Sequence, residues 1–556
     1  MWTLLAALAC TDPPPAPALP PRAGAPVAEQ VRRISLAVRG LPPTAAEVAA
    51  VEADADALPA LVDSWLETPA FGETVRDLHA EFLWTRVDTE FEFPRAGPLR
   101  DTPQGALMAS LGEGPLRLVE DIVTTNRPYG DILTADHTRV DPTLARLYGL
   151  DYDPAGPTWQ SASWPDGRPA AGLLADNGLW LRFRSSDTNY QRERANTVTR
   201  AFLCMDFASA DIPVVAEAGA LPAMGSGPVS DPACSGCHAV LDPVGSFFWG
   251  FRRYILPQEV KQAYEAGCPA DQRPFCYPFD YYDPDDEDRW IDLDMPAPSL
   301  LGAPGDDLAD LGALIRAHPA FASCTVRHFA SYLTQTPEDE LPSDYVDALA
   351  TAFAETEDAK ALVRQIVLDP GFTAVQPSEE AFVPGVQHLR PEQLARTLWE
   401  VAGFRFLAAP TAAACANGAS NCWGDVDLLQ TDRYGFRTLA GGISGYEVTA
   451  PTPGPTPTRA LVLERVAAEA AGFLVTRDLA QGAHQLLQAT PDGVDRRSVV
   501  AEIDAVWTAW TGAPPEPAVQ DAAWALWREV FQAEGWLAAW QATWTALLQH
   551  PALVTY

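Results

Sequence analysis

The chain has 556 residues, and at roughly 100–200 residues per domain this length predicts about three domains. Hydrophobic residues make up 47% and charged residues 20%, a composition that excludes a disordered chain, and no run approaches the roughly 18–20 apolar residues that cross a bilayer. Lysine and arginine number 38 against 74 acidic residues, a balance of −36; a body this acidic repels phosphate backbones, so no nucleic-acid partner is expected.

Residues 1–28 read as a lipoprotein-like signal followed by a Pro-rich tether. Met1–Ala9, MWTLLAALA, is a short apolar run ending in small residues before Cys10. It resembles the end of a bacterial lipoprotein signal, which makes Cys10 the candidate lipidation site. It lacks a basic n-region, and it is shorter than the roughly 15–30 residues of a secretory signal; a frayed apolar N-terminus fits the same residues. In Thr11–Ala28, TDPPPAPALPPRAGAPVA, proline favours extended polyproline II and blocks helix and sheet. The segment suits a spacer off a membrane surface, and equally a free arm.

Residues 29–150 read as an N-terminal helical domain. Glu29–Val38 is amphipathic. Leu41–Thr44, LPPT, is a turn whose threonine can cap the next helix, with Glu47 three residues on to close a capping box. Leu58–Leu66, Thr74–Trp84, Leu116–Thr125 and Pro142–Tyr148 follow at helical spacing. Residues 151–376 read as a haem-binding region. Within it Asp151–Pro169 is rich in Pro, Gly and Trp, Arg192–Phe207 is helical, Val214–Pro232 is a loop, and Leu308–Leu333 and Val346–Leu368 are helical. Val375–Gly385 marks a boundary. Residues 377–556 read as a C-terminal helical domain, with helix over Arg390–Ala402, loop over Pro410–Thr458, and an Ala-, Leu- and Trp-rich helical stretch from Arg459 to Leu547. There is no period-2 strand pattern and no tandem repeat. The expected fold is mainly α and multidomain, with a c-type haem-binding segment and long Pro/Gly-rich loops.

Chemistry concentrates at Cys234-Ser235-Gly236-Cys237-His238. C-x-x-C-H is the pattern of covalent c-type haem attachment. Two thiols one helical turn apart reach the two vinyl groups on one edge of the porphyrin, and the adjacent histidine ligates the iron. Gly236 removes bulk where the macrocycle would lie close. Two rivals use the same residues. A redox disulfide wants a βαβ context, and a closed zinc site wants a second CxxC or H-x₃₋₅-H; neither is present.

The surrounding residues carry a family resemblance. Cys234–Gly245, CSGCHAVLDPVG, resembles the CxxCH-x₃-DP-x-G segment of the planctomycete-type cytochrome c families. Leu41–Val48, LPPTAAEV, and Leu61–Gly72, LVDSWLETPAFG, resemble their cytochrome-associated N-terminal helical domain. Leu116–Leu150, with YGDILTAD and LARLYGL, is similar to the associated helical domain. Ala171–Cys204 and Phe321–Leu333 resemble the segments before and after the haem motif, and Leu389–Gly403 and Trp540–Tyr556 resemble a C-terminal module of the same set. The resemblance implies an exported, multidomain, haem-associated protein and names no substrate. Ser246-Phe247-Phe248-Trp249 departs from the family's GF-like continuation but stays aromatic and could wall the haem.

For the distal iron ligand, Met295 followed by Pro296 resembles the Met-Pro ligand loop of small cytochromes c; Met224, a histidine or an open site are the alternatives, and Met205 sits at core spacing. Setting aside Cys10, Cys234 and Cys237 from the nine cysteines leaves an even remainder, which in an exported chain suggests disulfides. Proximity pairs Cys268 with Cys276 and Cys415 with Cys422, leaving Cys204 with Cys324; buried free thiols are the alternative. His79, His137, His318 and His328 read first as structural or surface histidines, the run Asp283–Asp294 as a solvated acidic face rather than a calcium loop, and the tryptophans from Trp507 to Trp544 as helix core rather than a carbohydrate platform; Gly441–Gly445 lacks the strand–Gly-loop–helix context of a phosphate loop.

These residues predict a periplasmic or cell-surface monohaem cytochrome c, lipid-anchored at the outer membrane or cell surface. Haem c would be held by Cys234, Cys237 and His238, and electrons would pass to a redox partner protein. The competing readings are a surface-anchored interaction scaffold with a structural or vestigial CxxCH, and a peroxidase-like haem enzyme with an open distal face.

Overall fold

Helix ends follow local signals. Thr44 Oγ1 accepts from the Glu47 N–H at 3.2 Å while Glu47 accepts from the Thr44 N–H at 2.7 Å, closing the expected capping box ahead of the helix Ala45–Ala53. Glu47 also accepts from Arg39 and from the Trp65 indole, each at 2.7 Å, so one cap ties together the helices Val27–Arg39, Ala45–Ala53 and Ala57–Trp65. We describe a computed structural model of the chain, covering residues 25–87, 102–183, 185, 191–209, 232–251, 282–374, 382–408 and 426–556, and it is mainly helical over them. Paired strands there are three short antiparallel couples, Thr138–Val140 with Gln160–Ala162, Ser299–Leu300 with Ala303–Pro304, and Leu407–Ala408 with Val426–Asp427. Couples this short leave no alternation to read.

One helix begins well before its expected start: Gln104–Thr124 continues through Pro115, whereas the spacing of apolar residues opens it only at Leu116. The carbonyl that Pro115 cannot serve is that of Leu111, and Gly178 packs against this spot: a Cβ there would lie 2.9 Å from both the Leu111 oxygen and Pro115 Cδ. A glycine on a neighbouring helix lets the proline sit inside.

Two large cores follow. The first joins Val31, Ile34, Trp65, Phe71, Leu78 and Leu116 with Leu174, Phe202, Phe248, Leu311, Phe329 and Phe372, so side chains from both sides of position 150 share it. Cys204 and Cys324 are joined as a disulfide across 120 residues of sequence, linking the end of the helix Arg192–Leu203 to the helix Pro319–Thr334. The second core runs from Ala395 to Leu553 and is Trp-rich. Trp507, Trp510, Trp527, Trp540 and Trp544 are buried in it, as a core reading of their spacing requires; Trp527 and Trp540 meet edge to face at 5.8 Å.

Charged side chains join the two halves. Arg390 forks onto Glu81 and Arg396 bridges Asp77 and Glu73 across the join, while Arg86 on the N-terminal side shares Asp77 and pairs with Glu113. Arginines also reach backbone carbonyls across the join: Arg182 donates to the Gly445 oxygen at 2.6 Å and Arg437 to that of Arg86 at 3.1 Å. Residues 387–389 and 554–556 pair through their backbones, and Arg32 donates to the Thr555 and Leu553 carbonyls.

Candidate functional site

The C-x-x-C-H residues lie on the helix Pro232–Gly245. Residues three and four apart share a helix face, which brings positions 234, 237 and 238 of the helix backbone to one side. The Cys234 side chain lies outside the described ones; Cys237 is a half-buried free thiol. Gly236 is exposed, and a Cβ built there meets nothing within 4 Å. The packing of the chain itself therefore does not require glycine at this position.

The face continues one turn further to Asp242. His238 Nδ1 stands 3.2 Å from each Asp242 carboxylate oxygen. An ionised carboxylate only accepts, so Nδ1 is the donor of this pair, and among the described residues nothing bonds to Nε2. Asp242 is 2% exposed and is held from the other side by Arg192, whose Nε donates to Oδ1 at 2.5 Å and Nη2 to Oδ2 at 3.3 Å. Carboxylate support at one ring nitrogen is the arrangement metal-ligating histidines use: it fixes ring orientation and strengthens the donor. With no partner for Nε2 among the described residues, His238 fits a residue that would hold a haem iron. Asp242 is the aspartate of the DP step in the motif that carries the resemblance, though the sequence reading assigns it no role, and its i,i+4 spacing from His238 is a visible signal; Arg192, 50 residues before its partner, leaves none.

Beyond Asp242 the helix is anchored in the first core. Val244, Phe247, Phe248 and Trp249 are buried, and Phe248 meets Trp180 edge to face at 4.8 Å. The aromatic run turns into the protein interior through the 3-10 turn Ser246–Phe248. Met295 is half-buried, its N–H bonded to the Trp290 carbonyl. The next carbonyl, that of Pro296, accepts from Ser246 Oγ at 2.7 Å. The Met-Pro loop is thus tied to the C-terminal end of the motif helix, about 12 Å along the axis from His238 at roughly 1.5 Å per residue. Met205 packs against the first core. Met224, Cys10, Cys268, Cys276, Cys415 and Cys422 lie outside the described residues.

The remaining histidines have structural partners. His79 is fully buried between the Val75 carbonyl at 2.6 Å and the Tyr129 hydroxyl at 2.8 Å, and burial pushes its pKa down to about 3. His137 sits between Asp121 and Asp136, and the bond to Asp121 raises its pKa. His318 caps the helix Pro319–Thr334 by accepting from the Ala320 N–H. His328 lies beside the disulfide. Asp283 caps a short turn and its acidic neighbours are exposed or half-exposed; Gly441 lies under the Arg459 guanidinium, with no helix N-terminus following it. Among the described residues, Cys204, Cys324 and His328 bring three potential ligand atoms within 4.8 Å of one another, but the two sulfurs are bonded to each other.

A helical chain with a C-x-x-C-H helix, its histidine braced by a carboxylate, is what the geometry defines. Residues 16–100 match the family model PSCyt2, a protein of unknown function (DUF1549). That span contains Leu41–Val48 and Leu61–Gly72, and it supports the planctomycete-type resemblance read from them; it stops short of the Cys234 motif. No curated protein and no solved structure matches the chain.

Proposed function

We propose that the chain is an exported c-type cytochrome that carries one haem and passes electrons to a partner protein. Cys234 and Cys237 would tether haem c and His238 would ligate its iron through Nε2. The observation that carries this reading is the His238–Asp242–Arg192 chain of bonds, one turn beyond C-x-x-C, with His238 Nε2 unbonded among the described residues. When bound, haem supplies one-electron exchange at iron. The chain's own part is to hold the ring: Asp242 keeps the proton on Nδ1, and Arg192 compensates the buried carboxylate. Met295 remains the candidate distal ligand and would have to swing from its tether at Ser246. Lipidation at Cys10 would hold the protein at a periplasmic or cell surface, and its charge of −36 favours a basic or cation-bridged redox partner.

Expression with c-type maturation machinery, followed by a pyridine haemochrome spectrum of the denatured protein, tests this. A covalent c-type spectrum at one haem per chain is expected. His238→Ala should keep the thioether-bound porphyrin and lose the native ligated spectrum, and Asp242→Asn should perturb that spectrum less. No covalent haem, with a Cys234–Cys237 disulfide in its place, would overturn the proposal in favour of a scaffold. Tight binding of small ligands to the native iron would favour the open-face enzyme.

A further inference from the structure

A second reactive group lies outside the motif helix. The Cys204–Cys324 disulfide has one accessible end and one buried end: Cys204 is exposed, whereas Cys324 is 1% exposed. His328, one turn after Cys324 on the same helix, places Nε2 at 3.4 Å from Cys324 Sγ and at 3.0 Å from the Ala201 carbonyl. Its other nitrogen, Nδ1, lies 2.6 Å from Glu338 Oε1. Both ring nitrogens therefore face acceptors, and only the doubly protonated ring can donate to both. The Phe82 ring stacks on the imidazole at 3.9 Å between centroids, 6° from parallel. Glu338 approaches the exposed sulfur, Cys204, to 3.9 Å. The buried sulfur thus faces a cation and the exposed one an anion.

We propose that Cys204–Cys324 is a thiol–disulfide exchange site for dithiols, with Cys324 as the leaving thiolate held by the His328 imidazolium. One thiolate of the dithiol attacks Cys204 Sγ; the Cys204–Cys324 bond breaks and its electron pair stays on Cys324. The second thiol of the same reagent then attacks the mixed disulfide and releases an intramolecular disulfide. Cys204 leaves as thiolate and takes one proton, and the other goes to solvent. The dithiol is oxidised by two electrons and the protein disulfide reduced by two. A leaving thiolate stabilised by a fixed positive charge makes a disulfide easier to reduce, which a purely structural bridge does not need.

The test uses the full chain under native conditions, with reduced dithiothreitol as the dithiol and a glutathione redox buffer for equilibrium. Cys204 and Cys324 are quantified by alkylation and peptide mass spectrometry. Wild type is expected to be reduced by millimolar dithiothreitol while its circular dichroism is unchanged. His328→Gln keeps a donor for the Ala201 carbonyl and removes the charge. It should lower the equilibrium constant for reduction by roughly tenfold or more, about 30 mV for a two-electron couple. An equal constant in wild type and His328→Gln overturns the proposal. Should that variant fail to fold, wild-type reduction seen only together with loss of the folded signal overturns it as well. Neither readout depends on haem.

Discussion

The N-terminal core gathers side chains from Val31 to Phe372, while the C-terminal core takes its members from Ala395 to Leu553. The first brings distant stretches together and is cross-linked over 120 residues; the second is local and relies on large aromatic side chains. Closing long loops costs chain entropy before contacts compensate, so the non-local core gains most from a covalent link. A local core needs no such link and depends on packing volume. The two halves should therefore respond to different perturbations.

The largest contrast should come from the cross-link. Replacing Cys204 and Cys324 together by serine should cost about 4–5 kcal/mol on the chain-entropy view of a loop this long. In calorimetry or denaturant titration the loss should appear in the N-terminal half; equal loss in both halves would show that they unfold as one unit through the arginine join. Trp540→Ala acts on the other side. That side chain is 0% exposed, and truncation should cost about 3–5 kcal/mol, seen as a lower denaturation midpoint with the disulfide intact.

Acid sharpens the contrast by about 2 kcal/mol in the C-terminal half. Burial works against the charge of Asp478, yet Arg477 and the N–H groups of Leu487, Leu486 and Gln485 hold its pKa at about 2, below its ordinary 3.8. A depressed carboxylate contributes stability above pH 3.8 that is lost as pH falls toward 2, about 2 kcal/mol at 1.36 kcal/mol per unit. Asp478→Asn should flatten the stability curve across that window. In the N-terminal half His79, kept neutral by burial with a pKa of about 3, sets an earlier window: stability present above pH 6.5 is lost as pH falls toward 3. The smallest effect is expected at the capping box, where Thr44→Ala should cost about 1 kcal/mol, read as a small shift in the N-terminal transition.

What the sequence disclosed was local. The Thr44–Glu47 cap and the helices around it are set by residues three and four apart, and such spacings survive in one dimension. The pairing of Cys204 with Cys324 was reachable by elimination. The start of the helix Gln104–Thr124 was not legible, because its passage through Pro115 depends on Gly178 in another helix. The brace on His238 was half legible, through Asp242 but not Arg192. Glu338 beside His328, and Glu81 beside Arg390 across 309 residues, had no sequence signal, since such pairs form only when the fold brings separate segments together.

The arginines at the join bear on how this chain can change over time. Lys261 and Lys360 are the only lysines, and several arginines end on main-chain oxygens: Arg182 on Gly445, Arg437 on Arg86 and Gln430, Arg459 on Ala440 and Gly454. Every residue type offers a carbonyl, so the receiving positions are free to drift without breaking these joints. The donors are not, because lysine cannot reproduce the planar fork. Mutational scanning should find the acceptor positions permissive apart from those, such as Gly445 at φ 73°, whose backbone conformation demands glycine. The intolerance should gather on the arginines.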